Sequence, residues 1–231
     1  MLFSFDRCGF PFVPLAQLWL EVQLFPVTKV QFERFLAEPD TYGDDWYDAV
    51  LQYHPRCSYR GFAVGERERL FLGGVLPEEA LAYARWLGDG YDLPTVEEWR
   101  QIALALAGLP APSAAELADW PAGPAPTIAE QMLTQLPART LLNLSLMRGG
   151  LVEWVRDGAP LTPSPSPTNR SPDAAFTVGN SANTDGAAWA GLGAPRPEFK
   201  AHLWDPLRDV IRPVRVGERV GYVGFRLVRR I

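Results

Sequence analysis

The chain has 231 residues, 47% of them hydrophobic and 21% charged, with a net charge of −5. That balance supports a sizeable core and excludes a disordered chain. It also argues against a nucleic-acid partner, because such binders draw their affinity from Lys and Arg that neutralise phosphates, and the one tight basic cluster here is Arg229-Arg230 with Arg226 nearby.

No basic segment precedes an apolar one at the start, and the apolar stretch 12–27 carries Gln17, Glu21 and Gln23. It reads as neither a signal peptide nor a membrane span. The expected location is cytoplasmic, with export or surface display by another route left open. The two cysteines, Cys8 and Cys57, are too few for a disulfide framework and are expected as small buried or half-buried thiols. The 22 prolines, about twice the usual share of roughly 5%, point to stiff, irregular connections.

In chain order, residues 18–25 alternate, with Leu20, Val22 and Leu24 inward and Glu21 and Gln23 outward, which predicts a half-buried strand. Thr28 then caps a helix, Gln31 completes a capping box, and Val27 is placed to staple onto Phe32. Its apolar face is Phe32, Phe35 and Leu36, and Pro39 stops it. Residues 40–75 are aromatic and polar and are assigned no regular structure. Pro77 opens a second helix through Leu81, Ala84 and Leu87 to Gly88. Thr95 with Glu98 caps a third, with Trp99, Ile102, Ala103 and Leu106 inward.

Residues 109–140 turn to Ala and Pro, and two capping-box spacings, Ser113 with Glu116 and Thr127 with Glu130, predict a helical insertion. Residues 151–155 (LVEWV) read as a strand. Residues 160–172 lack too many amide donors for helix or sheet and form an extended loop. Small polar residues dominate 176–193, and residues 222–228 (YVGFRLV) alternate as a final strand. Helices and strands that segregate along the chain predict an α+β fold in one domain.

Five segments, in order, resemble the formylglycine-generating-enzyme type of C-type lectin fold, the sulfatase-modifying-factor domain. Residues 25–36 (FPVTKVQFERFL) are similar to its opening "PVT…F..FL" helix and residues 78–88 (EEALAYARWLG) to its "DA.AYARWLG" helix. Residues 92–99 (DLPTVEEW) resemble "RLPTEAEWE", residues 149–155 (GGLVEWV) followed by Asp157 resemble "GNVWEWV.D", and residues 223–228 (VGFRLV) resemble the terminal "GFRLV". The resemblance implies few helices, short antiparallel strands and long irregular loops. Asp92 stands where the family usually has Arg, and residues 177–182 (TVGNSA) replace its "RGGSW".

Oxidase members of this family use a late cysteine pair, and the iron-dependent sulfoxide-synthase relatives use a group of histidines. Here nothing after Cys57 is a cysteine, and the histidines are His54 and His202. The resemblance therefore points to a non-enzymatic branch, the variable proteins of diversity-generating retroelements, whose last part carries exchangeable ligand-binding residues ending at the "GFR" strand. It places a ligand-binding region at about 170–226, with Asn180, Ser181, Asn183, Thr184, Asp185 and Trp189 at the site; Trp204 and Arg208 are further candidate contact residues in the same stretch. Exposed Trp and Arg are frequent interface anchors, and the mix of aromatic and small polar groups suits a protein surface as the ligand.

Other constellations carry less chemistry. Cys57 with His54 three residues earlier is the best nucleophile candidate, but no orienting third group is evident. Asn180, Asn183 and Asp185 ahead of Gly186 leave calcium open as a cofactor, without the distal Glu of a full loop pattern. Glu78-Glu79 and Glu97-Glu98 fall in first helical turns, where the macrodipole favours negative charge, and Asp44-Asp45 reads as a solvated turn. Glu153-Trp154 reads as a core Trp beside a hydrogen-bonded Glu. The expected function is ligand binding without catalysis; the alternatives are an oxidase of the formylglycine-generating kind using Cys57 and a structural domain of a phage or surface assembly.

Overall fold

Strand β1 (Ser4–Phe5) pairs antiparallel with β2 (Pro11–Leu15) in a hairpin that no alternation in the sequence announces. Asp6 holds the turn: its Oδ1 accepts the amides of Cys8 at 2.8 Å and Phe10 at 2.9 Å, and Gly9 supplies the positive φ of 80°. The computed structural model describes residues 3–38, 70–136, 138–147, 151–157, 188–193, 205–208, 211 and 217–231.

β2 pairs antiparallel with β3 (Leu20–Gln23), in register from Phe12↔Gln23 to Leu15↔Leu20. The strand starts later than its alternation predicts, because Ala16–Leu18 close a 3-10 turn and Trp19 takes a left-handed φ of 54°. Gln23, expected outward, is fully buried. The reason is that this end of β3 is covered on both faces; inside, Gln23 Oε1 accepts the Leu227 amide at 3.3 Å, while Nε2 meets no acceptor among the described residues.

Helix α1 (Lys29–Leu36) has both halves of its capping box, the Thr28 amide to Gln31 Oε1 at 2.9 Å and the Gln31 amide to Thr28 Oγ1 at 3.3 Å. Phe32 and Phe35 are buried, and Leu36 is only partly so. Helix α2 (Pro77–Leu87) packs on it through Tyr83, which stacks on Phe32 with centroids 5.4 Å apart. Two-residue β4 (Tyr91–Asp92) leads into α3 (Val96–Ala107), whose Thr95–Glu98 box is complete and whose four expected inward residues are buried.

Helix α4 (Ala114–Ala118) starts at the Ser113–Glu116 box as expected. Helix α5 (Pro124–Gln135) does not start at Thr127. Pro124 opens it, since proline's φ suits the first turn and its missing N–H is not needed there, so Thr127 falls inside. A short α6 (Leu141–Leu144) follows.

β5 (Val152–Asp157) and β6 (Ala188–Gly193) form an unbroken antiparallel ladder from Val152↔Gly193 to Asp157↔Ala188. The predicted final strand 222–228 is instead two pieces in two sheets: β7 (Val223–Gly224) runs parallel to β5, and β8 (Val228–Arg230) inserts antiparallel between β3 and β4. The parallel pairing departs from the all-antiparallel expectation. The chain crosses between sheets at Phe225–Leu227, whose outer carbonyls accept the Val27 amide at 2.8 Å and the Gln23 amide at 2.9 Å. The sheets run β1-β2-β3-β8-β4 and β6-β5-β7. The result is an α+β fold.

Candidate functional site

The crossing at 225–227 carries Arg226 into the middle of the molecule. Its side chain is fully buried, yet all of its donors are used. Nε and Nη2 grip Glu153 at 2.7 and 2.6 Å, Nη1 donates to the Gln23 and Leu24 carbonyls, and Nη2 also donates to the Ser145 carbonyl at 2.8 Å. Trp99 Nε1 donates to Glu153 Oε2 at 2.9 Å. The expected hydrogen-bonded Glu beside a core Trp is therefore present, with a difference: Trp99 is its partner, while Trp154 Nε1 donates to the Val75 carbonyl at 2.7 Å. Position in the chain groups Arg226 with a terminal basic cluster. The signal for its real place is that Arg226 and Glu153 each stand among large apolar neighbours, a pattern that demands a buried counter-charge.

The terminal arginines are likewise taken up. Arg229 pairs with Glu21 and donates to Tyr91 and Ser4, and Arg230 bonds Asp92 at 3.1 Å and Glu98 at 3.0 Å. Glu79 is gripped by Arg219 at 2.8 and 2.6 Å while also accepting the Leu76 amide at the start of α2. Glu79 and Glu98 thus add an ion pair to the helix-start role. Cys8 is an unbridged, buried thiol whose pKa is pushed up by burial and by the Asp6 charge, which keeps it protonated and inert.

Of the predicted contact residues, Trp189 and Arg208 are described. Trp189 lies on β6, half-buried against the core and directly opposite Arg156 on β5, with the Arg156 guanidinium carbon 5.4 Å from its ring centroid. Arg208 ends the short 3-10 turn Pro206–Arg208; its side chain is exposed and lies 3.4 Å from Asp205. Both elements pack against α3. Asn180, Ser181, Asn183, Thr184, Asp185 and Trp204 lie outside the described residues, as do His54 and Cys57 and the oxygen set considered for calcium. Among the described residues, no three His, Cys, Asp or Glu side chains cluster as metal ligands, and no helix is long and apolar enough to cross a membrane.

Several buried charges of the described residues are thus paired within the scaffold, and β6 carries Trp189 along one edge of the smaller sheet. A family model, the sulfatase-modifying factor enzyme 1-like domain, matches residues 15–231. The chain belongs to this family. No curated protein matches it. In this sulfatase-modifying-factor domain the five sequence segments are α1, α2, β4 with the start of α3, β5, and β7 through β8. Three of them meet in one knot, as Trp99, Glu153 and Arg226. Asp92, which stands where the family usually has Arg, is the acid that Arg156 and Arg230 share.

Proposed function

We propose that this sulfatase-modifying-factor domain is a binding protein and not an enzyme, displaying side chains between about 170 and 216 on a rigid C-type lectin-like scaffold, as variable proteins of diversity-generating retroelements do. The observation that carries this reading is the use made of charge. Four acids of the family segments, Glu79, Asp92, Glu98 and Glu153, are each engaged by an arginine and so are occupied in holding the fold. The late cysteine pair of oxidase members has no counterpart in a chain whose last cysteine is Cys57.

On this reading exchange is confined to positions that do not hold the fold. Positions 223–226 build the core, and Arg219 anchors to Glu79, so exchange there would cost stability. The ligand is a protein surface, recognised by Trp189, Trp204, Arg208 and the small polar residues Asn180, Ser181, Asn183, Thr184 and Asp185. A calcium ion would take oxygen ligands from Asn180, Asn183 and Asp185. The location proposed with this reading is the cytoplasm, with surface display as the alternative.

The test is to sequence the locus in sister isolates and assay Cys57→Ala beside it. Substitutions should concentrate between 170 and 216 and spare 223–226, and Cys57→Ala should leave ligand capture unchanged. Evenly spread substitutions would remove the case for diversification, and activity lost with Cys57 would favour the oxidase reading. A purely structural domain would tolerate Asn183→Ala with Trp189→Ala in assembly and stability and show no ligand.

A further inference from the structure

Two arginines of β5 and the sheet crossing are almost wholly buried, at 1% exposure for Arg156 and 0% for Arg226, and they differ in what surrounds them. The Arg226 fork is saturated by Glu153 and three carbonyls. Among the described residues Arg156 forms an ion pair with one acid, Asp92, whose Oδ1 lies 2.9 Å from Nη2. Among the described residues no acceptor meets its Nε or Nη1. Asp92 is itself divided, because Oδ2 binds Arg230 and Oδ1 also accepts the Leu93 amide at 2.8 Å. Burial pushes the Arg156 pKa down, Asp92 pulls it up, and the charges of Arg230 and Arg85 push it down again. Among the described residues, the neighbourhood is short of negative charge.

A buried guanidinium in that condition is costly, and buried donors without acceptors are rare enough in native proteins to call for an explanation. Position supplies one. Arg156 and Trp189 are directly paired across the β5–β6 ladder, so their side chains stand on one face of the sheet. The ring lies over the guanidinium at 5.4 Å, which leaves the in-plane N–H groups as the donors to be met. Trp189, on that same face, is only partly buried.

We infer that Arg156 is a ligand anchor that takes a carboxylate, with Trp189 as its aromatic wall. This inference deepens the binding role proposed above and rests on it. Ion pairing to a guanidinium inside a poorly hydrated site is a charge-assisted bond, stronger than the same contact at the surface. It also predicts that the preferred partner surface is acidic at the point that faces β6.

The experiment measures thermal unfolding of the full chain against hexaglutamate, hexaglutamine and succinate, at fixed ionic strength and pH 7. Hexaglutamate and succinate should raise the Tm saturably, and hexaglutamine should not. Arg156→Gln should weaken the apparent affinity at least tenfold, Trp189→Ala several-fold, and Trp189→Phe little. If Arg156→Gln fails to fold, Arg156→Lys carries the test, since it keeps the charge and loses the planar fork; an unchanged affinity there overturns the inference. So does a wild-type protein that ignores both carboxylates, or an equal shift in Arg156→Gln. A response to succinate alone assigns the anchor to a small free diacid, and a response to both assigns it to an acidic side chain on a larger partner. The isolate survey stays independent: substitutions concentrated between 170 and 216 with no carboxylate response would remove the anchor and leave the binding role standing.

Discussion

Arg226 has every donor engaged, and its nearest acid, Glu153, is equally buried and shared with Trp99. Taking away one member of such a pair strands the other charge in the core, which costs about 3–5 kcal/mol, whereas replacing both by apolar groups costs much less. Arg226→Met should therefore lower the unfolding free energy by roughly that amount in urea titration, and Arg226→Met with Glu153→Leu should recover part of it. Additive losses would mean that the two side chains do not act as a pair. At this scale the sequence is half legible. It marks Glu153 and Trp154 as core, but a charge in a strand pattern does not name its partner when that partner is 73 residues away. Gln23 misleads for the same reason: alternation reports which face a residue takes, not whether a second layer covers that face.

Elements with local causes are readable from the amino-acid order alone. The boxes at Thr28, Thr95 and Ser113 each satisfy backbone donors within one turn, so a few adjacent residues carry the whole signal. Thr127 shows the limit, since Pro124 provides an earlier start and takes precedence. The short strands are hidden. β1 and β4 are two residues each, too short for any period, and both exist because a neighbouring strand offers a ladder. β7 is fixed by clearance: a Cβ on Gly224 would run into the Leu72 carbonyl oxygen and crowd the Leu151 side chain at 2.9 Å. Gly224→Ala is expected to destabilise by about 1–3 kcal/mol through forced backbone movement. Gly108→Ala, where the new atom would sit at an ordinary 3.6 Å from the Ala105 carbonyl, should stay within about 0.5 kcal/mol. Equal effects in a denaturant titration would show that the close approach at Gly224 is not what holds β7 to β5.

Across the whole molecule, the first and last strands lie in one sheet, with β8 between β3 and β4. The last segment therefore closes a structure that its first residues begin, and it also ties the two sheets through Phe225–Leu227. A chain ending at Leu227 should lose its cooperative unfolding transition and its near-UV circular dichroism; retention of both would mean that β8 is dispensable. The proposed binding region is legible only as a place, between the β5 strand and the final strand, because Trp189 and Arg208 sit on separate elements that both pack on α3.

The sequence by itself determined the family, the α+β class, the main helices and most of the core, because capping, turn residues and apolar periodicity act over a few neighbours. Only the tertiary structure decided that the final strand splits between sheets, that Gln23 and Arg226 are interior, and that Arg156 meets Trp189. Those outcomes depend on packing between segments distant in the chain, where the energy of a buried charge or a close backbone approach is set by what arrives from elsewhere.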